Sequence, residues 1–243
     1  MAALKLVKPT TVPRSSSATF KEIMRIIKMG EMPIPDKKSY RGTGAPGRLL
    51  EDLLGISENN KDSPDLNDWE VKFHGGGTLV TLFHKDPEPR GITRLLVHEH
   101  GWDDGKGRIS FRHTLGGESE RGFYVVNESD RIIIRHRKRD TVNPYWRHNT
   151  LLGSIGAKLR RLIVVNGKVI KHPTKTVTYN SATAHWDFNL TGFCEAIVKG
   201  TVKIDFDART QGGAGTALRN HGTKFRIHAE DIASLYESSK KIT

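Results

Sequence analysis

A single cysteine, Cys194, in 243 residues excludes a disulfide framework within the chain and a zinc site built on thiolates. With Phe193 and Ala196 beside it, that thiol reads as packing rather than as a nucleophile. No segment approaches the ~18 consecutive apolar residues of a membrane span. The first residues, Met1 to Pro9, lack the long apolar core of a secretory signal. A cytoplasmic chain with no membrane partner is the expectation. Histidine is plentiful at 11 residues, yet His-Glu-x-x-His is absent and His98 and His100 stand at i and i+2, which argues against a zinc hydrolase. Acid is in short supply: 39 Lys and Arg face 27 Asp and Glu, for a net charge of +12 and a pI near 9.8. A balance of that sign suits a polyanionic partner, nucleic acid ahead of a membrane surface.

What is present is enough chain to bury a sizeable core. Residues 1–18, with Pro9, Pro13 and Ser15 to Ser17, read as a loose arm, and residues 19–243 as one α/β (α+β) domain. Thr19-x-x-Glu22 has capping-box spacing and opens a helix whose Phe20, Ile23, Met24 and Ile27 share a stripe, stopped by Gly30. A second helix starts near Pro46, carries Leu49, Leu50, Leu53 and Leu54 on its apolar side, and ends at Gly55. Strands are expected at about 68–73 and, after the turn at Gly75 to Gly77, at 78–85, paired back as a hairpin. Further strands at 92–98, 108–113, 121–127 and 130–136 would build a protruding β-rich lobe over about 92–150. Residues 158–165 read as a core strand, 167–179 as a hairpin, 190–198 as a helix, and 201–207 and 224–227 as strands. A closing helix would turn Ile232, Leu235 and Tyr236 inward.

The stretch that carries chemistry runs from Ser63 to Lys72, where Asp65 precedes Glu70-x-Lys72 on an entering strand. Strand side chains alternate, so Glu70 and Lys72 share a face with Cα atoms roughly 6–7 Å apart. Trp69, Val71 and Phe73 take the core side. Two carboxylates and one ammonium at one spot combine hard oxygen ligands for Mg²⁺ with a group able to orient an attacking water. That is apparatus for metal-assisted hydrolysis of a phosphodiester. Glu-x-Lys alone is a chance occurrence in a chain with 27% charged residues, and it would serve equally as a solvated strand face. Asp68, two before Glu70, is the alternative acid.

Gly44-x-x-Gly47 and the run to Asn60, then Asp65, Trp69 to Lys72 and Thr81 to Lys85, resemble in order and spacing the MvaI/BcnI type of restriction endonuclease. That group is similar to the mismatch-repair nicking endonuclease MutH. Weaker, colinear similarity continues through Trp186 to Asn189, Lys203 to Asp207 and Lys224 to Ile227. The resemblance implies a PD-(D/E)xK core, a mixed central sheet flanked by helices. It also implies a type II enzyme that uses Mg²⁺ and, as a monomer, cuts double-stranded DNA one strand at a time at short, GC-flanked pseudopalindromes. Carried over position by position, Asp65 is the central metal-binding acid, Glu70 the second carboxylate and Lys72 the catalytic lysine. Glu51 matches an acid kept near the metals, and a solvent-facing helix glutamate is its other reading. The spacing from Asp65 to Glu70 is tighter than in the wider PD-(D/E)xK pattern.

DNA contact is expected in three places. His84 matches a histidine that helps read the central base pair, although alternation with Val80 and Leu82 also allows a core histidine. The run Arg135 to Arg139, with Arg137 and Arg139, is a candidate for backbone phosphates, which hold register without choosing sequence. Arg209, Arg219, Asn220, His221, Lys224 and Arg226 form the candidate base reader, since arginine's fork suits guanine. Lys224 stands where one relative carries a base-reading histidine. The competing readings are a MutH-like enzyme that only nicks, and a non-catalytic DNA-binding module.

Overall fold

The computed structural model describes residues 15–56, 66, 68–77 and 79–242. In chain order these form α1 (Ser16–Lys28), β1 (Glu31–Pro33), α2 (Ala45–Leu53), β2 (Glu70–His74), β3 (Val80–His84), α3 (Ile92–His100), β4 (Trp102–Asp103), β5 (Ile109–Leu115), β6 (Phe123–Asn127) and β7 (Arg131–His136). There follow β8 (Tyr145–Arg147), α4 (His148–Lys158), β9 (Arg161–Ile170), β10 (Thr176–Phe188), α5 (Leu190–Lys199), β11 (Val202–Thr210), β12 (Leu218–Asn220), β13 (Lys224–Ile227) and β14 (Tyr236–Lys241). The architecture is mixed α and β. The chain divides into two compact units, one of Met1–Val80, Ala157–Phe188 and Tyr236–Thr243, the other of Thr81–Gly156 and Asn189–Leu235.

The first unit is built on a five-stranded mixed sheet of order β1-β10-β9-β2, with β14 also on β10. β2 is an edge strand that runs parallel to β9, Glu70 opposite Leu162 and Lys72 opposite Val164. One face of this sheet packs Val71, Ile163, Val165, Val177 and Tyr179 against Ile23 and Ile26 of α1 and Leu49, Leu50 and Leu53 of α2, all buried. Each such aliphatic side chain contributes about 1.5–3 kcal/mol by leaving water. α2 follows the apolar stripe in the sequence, whereas α1 buries Ile23 and Ile26 with Phe20 and Ile27 packed partly beside them, and Met24, expected on the stripe, is only half-buried. The cap of α1 also differs: Ser15, not Thr19, is the N-cap, its side chain accepting from Ala18 N. Thr19 lies one turn further in, buried, with its hydroxyl unpartnered.

The second unit carries a six-stranded sheet of order β3-β13-β11-β5-β4, with β12 on β11, and a three-stranded sheet β6-β7-β8. Aromatic side chains fill it: Phe83 stacks on Phe225 at 4.7 Å, and Phe111 meets Phe206 edge-on at 5.4 Å. The hairpin expected between 68–73 and 78–85 does not form, because β3 pairs with the distant β13 while β2 pairs with β9. The strand expected at 92–98 is the helix α3, with Ile92, Thr93, Leu96 and Val97 buried. Those four sit at helical spacing, whereas a strand there would have carried Arg94 and His98 into the core. Residues 229–235 form a 3-10 helix, and Tyr236 begins β14 instead of ending a helix.

Candidate active site

β2 alternates as a half-buried strand should. Trp69 and Val71 are each 4% exposed on the core side, and Phe73 meets Tyr179 edge-on at 5.5 Å. Glu70 and Lys72 point the other way, and the Lys72 ammonium contacts Glu70 Oε1. The Glu70 side chain keeps only 5% of its exposure, that of Lys72 28%. A carboxylate that deep survives only with a charged or hydrogen-bonded partner. Its charge is felt nearby: Tyr236, whose hydroxyl donates to Leu159 O at 2.9 Å, is held above the ordinary phenol range by burial first and by Glu70 second.

Asp65 lies outside the described residues. Leu66, just after it, is fully buried and closes a tight turn into β2, exchanging backbone hydrogen bonds with Trp69 at 2.9 and 2.7 Å. Asp68 sits in that turn with its side chain 68% exposed and Arg161 Nη1 at 3.4 Å. It faces solvent, away from any buried pairing with Glu70. Among the described residues no three His, Cys, Asp or Glu side chains gather tightly enough to hold a metal ion.

Glu51 stands on α2, its side chain 35% exposed, with Arg48 Nη1 3.9 Å away. Arg48 Nε also lies 3.6 Å from Asp52, a buried acid that accepts from the Tyr40 hydroxyl. Burial and that bond push the Tyr40 pKa up to about 12. Tyr179 donates to Pro46 O at 2.7 Å and so pins the first turn of α2. Its own pKa is raised by burial first, then by Tyr40 and Glu51. The Arg48–Asp52 pair is legible in the sequence as an i,i+4 pair on a helix. The link from Tyr40 and the closeness of Tyr236 to Glu70 depend on tertiary packing and leave no local signal.

In the second unit His84 ends β3 exposed, so its reading as a core histidine falls. On the solvent side of β11, acids and bases alternate across the ladder. Arg112 Nε donates to Asp207 at 2.9 Å, Lys224 lies 3.7 Å from Asp207, and Arg226 lies 3.1 Å from Asp205. Arg209 and Arg219 are opposed across the β11–β12 pairing and have no ion pair among the described residues. Burial, then Arg108, Arg112 and Arg219, lower the Arg209 pKa, the signature of crowded like charge. His221 is exposed beside them. In the Arg135–Arg139 run, Arg135 is tied to Glu128 at 2.8 Å and Asp140 at 3.1 Å. Arg137 holds both oxygens of Glu118 at 2.9 Å, whereas the Arg139 guanidinium donates to the carbonyl of Glu99 at 3.1 Å and has no ion pair among the described residues. No described helix is long and apolar enough to cross a membrane.

No curated protein sequence matches the chain. Among solved structures, the chain is similar to restriction endonuclease MvaI in complex with its cognate DNA substrate, with a TM-score of 0.78 and 26% identity over 93% of this chain and 98% of that one. MvaI in the absence of DNA matches with a TM-score of 0.56 and 25% identity, over 94% and 98%. The fold is thus that of a restriction endonuclease. The family model of the MvaI/BcnI restriction endonucleases matches residues 20–236, nearly the whole described chain. The chain belongs to the MvaI/BcnI restriction endonuclease family and is a site-specific deoxyribonuclease.

Proposed function

We propose that this type II restriction endonuclease uses Mg²⁺ to hydrolyse double-stranded DNA at a short, GC-flanked pseudopalindrome, working in the cytoplasm as a monomer that cuts one strand at a time. The observation that carries the reading is Glu70, a carboxylate withdrawn from water on an edge strand with the Lys72 ammonium against it. Carboxylate oxygens are hard donors and suit Mg²⁺. Asp65 and Glu70 would hold the ion, with Glu51 near it. Bound there, it would neutralise charge developing on the phosphate and acidify a water. Lys72 fixes the Glu70 carboxylate and places a positive charge beside the attacked phosphate, which favours the more anionic transition state. His84, Arg209, Arg219, His221, Lys224 and Arg226 supply the donors for base edges. Arg137 and Arg139 contribute phosphate contact, Arg137 in competition with Glu118.

The test is digestion of a sequenced plasmid by the purified protein with Mg²⁺, followed by sequencing of the ends. Discrete fragments sharing one short site are expected, with activity lost on chelation. Glu70→Gln should abolish cleavage while keeping or tightening DNA binding, since it removes negative charge facing phosphate. Relaxed circles without linear product would favour the strand-nicking alternative, and intact DNA under all conditions would leave only a binding module.

A further inference from the structure

The second unit contains a cavity of about 280 Å³ at the C-terminal end of α3, and its lining is poor in acid. Arg121, Lys138 and Arg139 line it together with His100 and His136. None of the three long cations has an ion pair among the described residues: Arg121 lies over the Trp102 ring at 4.0 Å, and Arg139 spends one N–H on Glu99 O. The one carboxylate in the lining, Glu99, is 3.0 Å from His98 Nδ1. His136 is fixed by its own bonds. Its Nδ1 accepts from the backbone N–H groups of Lys138 and Arg139 at 3.2 and 3.0 Å, so Nε2 carries the proton and donates to Arg121 O at 2.9 Å.

Two more imidazoles complete the cluster. His100 lies 4.7 Å from His136 between ring centres, and both His100 and His113 pack on Phe123, at 4.9 and 5.5 Å. The Nε2 atoms of His100 and His113 are buried without a hydrogen-bond partner. Burial first, then His136 and Arg139, hold His100 below its ordinary pKa, with Glu99 opposing; burial and then Arg121 do the same to His113. Three long cations are gathered here against one lining carboxylate, Glu99, which lies against His98. We infer that this pocket is a phosphate-binding site, built wholly within the second unit, that seats a backbone phosphodiester of the DNA substrate.

Two guanidinium forks and an ammonium around one concavity are a donor set for phosphate oxygens. The negative end of α3 opposes an anion, but Arg139 already covers the Glu99 carbonyl there. Arg135 and Arg137, in the same run, are held by carboxylates and are less available. The inference rests on the nuclease reading only for the source of the phosphate. An anion in the pocket would offset the positive charge that acts on His100 from the adjoining turn (Arg139), where His136 of β7 packs beside the ring and Glu99 of its own helix already opposes. The His100 pKa would rise, so binding takes up protons and tightens as pH falls.

The experiment is a titration of the full-length, isotope-labelled protein without metal, following the histidine ring resonances. Sulfate is the first probe, because its charge is constant between about pH 6 and pH 8, where imidazole titrates. Inorganic phosphate and a short duplex follow. Saturable shifts of His100 and His136, larger at the lower pH and competed by the duplex, are expected. The triple variant Arg121→Ala, Lys138→Ala, Arg139→Ala, all exposed positions, should lose them and keep its other resonances. Absence of a saturable shift, or an undiminished one in the triple variant, overturns the site. Sulfate binding that the duplex cannot displace overturns the backbone as its source and leaves free phosphate. Plasmid cleavage, scored separately, reports on the nuclease reading alone.

Discussion

Glu70 is a carboxylate almost wholly withdrawn from water, and the Lys72 ammonium lies against it. Removing one member of a buried pair costs more than the pair itself contributes, because the charge left behind has lost its partner. Lys72→Met should therefore destabilise the protein by about 1–3 kcal/mol, below the usual buried-pair range because the lysine is partly solvated. Adding Glu70→Gln should restore part of that loss. Urea unfolding of the three variants checks it, and a Lys72→Met protein as stable as the parent would sink the idea. His185 poses a second residue-scale question. It is 6% exposed, its Nδ1 has no partner, and burial lowers its pKa. A depressed folded-state pKa means the unfolded chain binds the proton more readily. The stability tied to the neutral ring is complete above the unfolded value near 6.5, and is lost as pH falls from there through the folded value. The slope is at most about 1.4 kcal/mol per pH unit per histidine. His185→Leu should thus lose less stability than the parent between pH 7.5 and pH 5.5. A residual slope persists, since His100 and His113 shift in the same direction. Parallel stability curves for the two proteins would contradict this.

At the level of elements, α5 ends in a way its sequence only half announces. Gly200 caps it at φ 79°, and a Cβ there would lie 2.2 Å from Gly116 O. Gly30, after α1, has φ 70°, and a Cβ added to it would meet nothing within 4 Å. Gly200→Ala should therefore cost about 2 kcal/mol or more, left-handed strain plus a backbone clash, and Gly30→Ala only about 1 kcal/mol. Equal thermal shifts for the two would refute the distinction. The same contrast between local and distant constraint explains what the sequence conveys. α1, α2, α5 and β11 are legible because their apolar residues repeat at the period of the element that buries them. α3 reads as a strand because Ile92, Thr93 and Val97 are β-branched, while burial at i, i+1, i+4 and i+5 decides for a helix. α4 follows no clear stripe, and nothing in its pattern announces a helix. The Gly75–Gly77 turn suggests a local hairpin, but β3 is held by β13, some 140 residues on, and no local signal reports so distant a pairing. Of the candidate site, the placement of Glu70 and Lys72 on one strand face follows from alternation alone. Arg48, Asp52 and Tyr40 around Glu51 become visible only through packing.

Over the whole molecule the net charge of +12 overstates the cations free to meet a polyanion. Arg112, Lys224 and Arg226 lie against Asp207 and Asp205, and Arg137 carries Glu118 bidentately. A cation already neutralised by a carboxylate releases less condensed counterion when DNA arrives, so it contributes less to the salt dependence of binding. Arg209 and Arg219, opposed on adjacent strands with no ion pair among the described residues, repel each other in the free protein, and the negative potential of a DNA groove would relieve that repulsion. The dependence of log affinity on log salt should then become shallower by up to about 2 in the Arg209→Ala, Arg219→Ala double variant, about one unit for each unneutralised cation withdrawn from the DNA. Arg137→Ala should change the slope by clearly less than one, since Glu118 is freed as the arginine goes. Filter binding or fluorescence anisotropy on one duplex, across a series of salt concentrations and without metal, measures both. If Arg137→Ala flattens the slope as much as the loss of Arg209 and Arg219, then exposed ion pairs dissolve freely in front of DNA, and formal charge rather than pairing sets the electrostatic footprint of this enzyme.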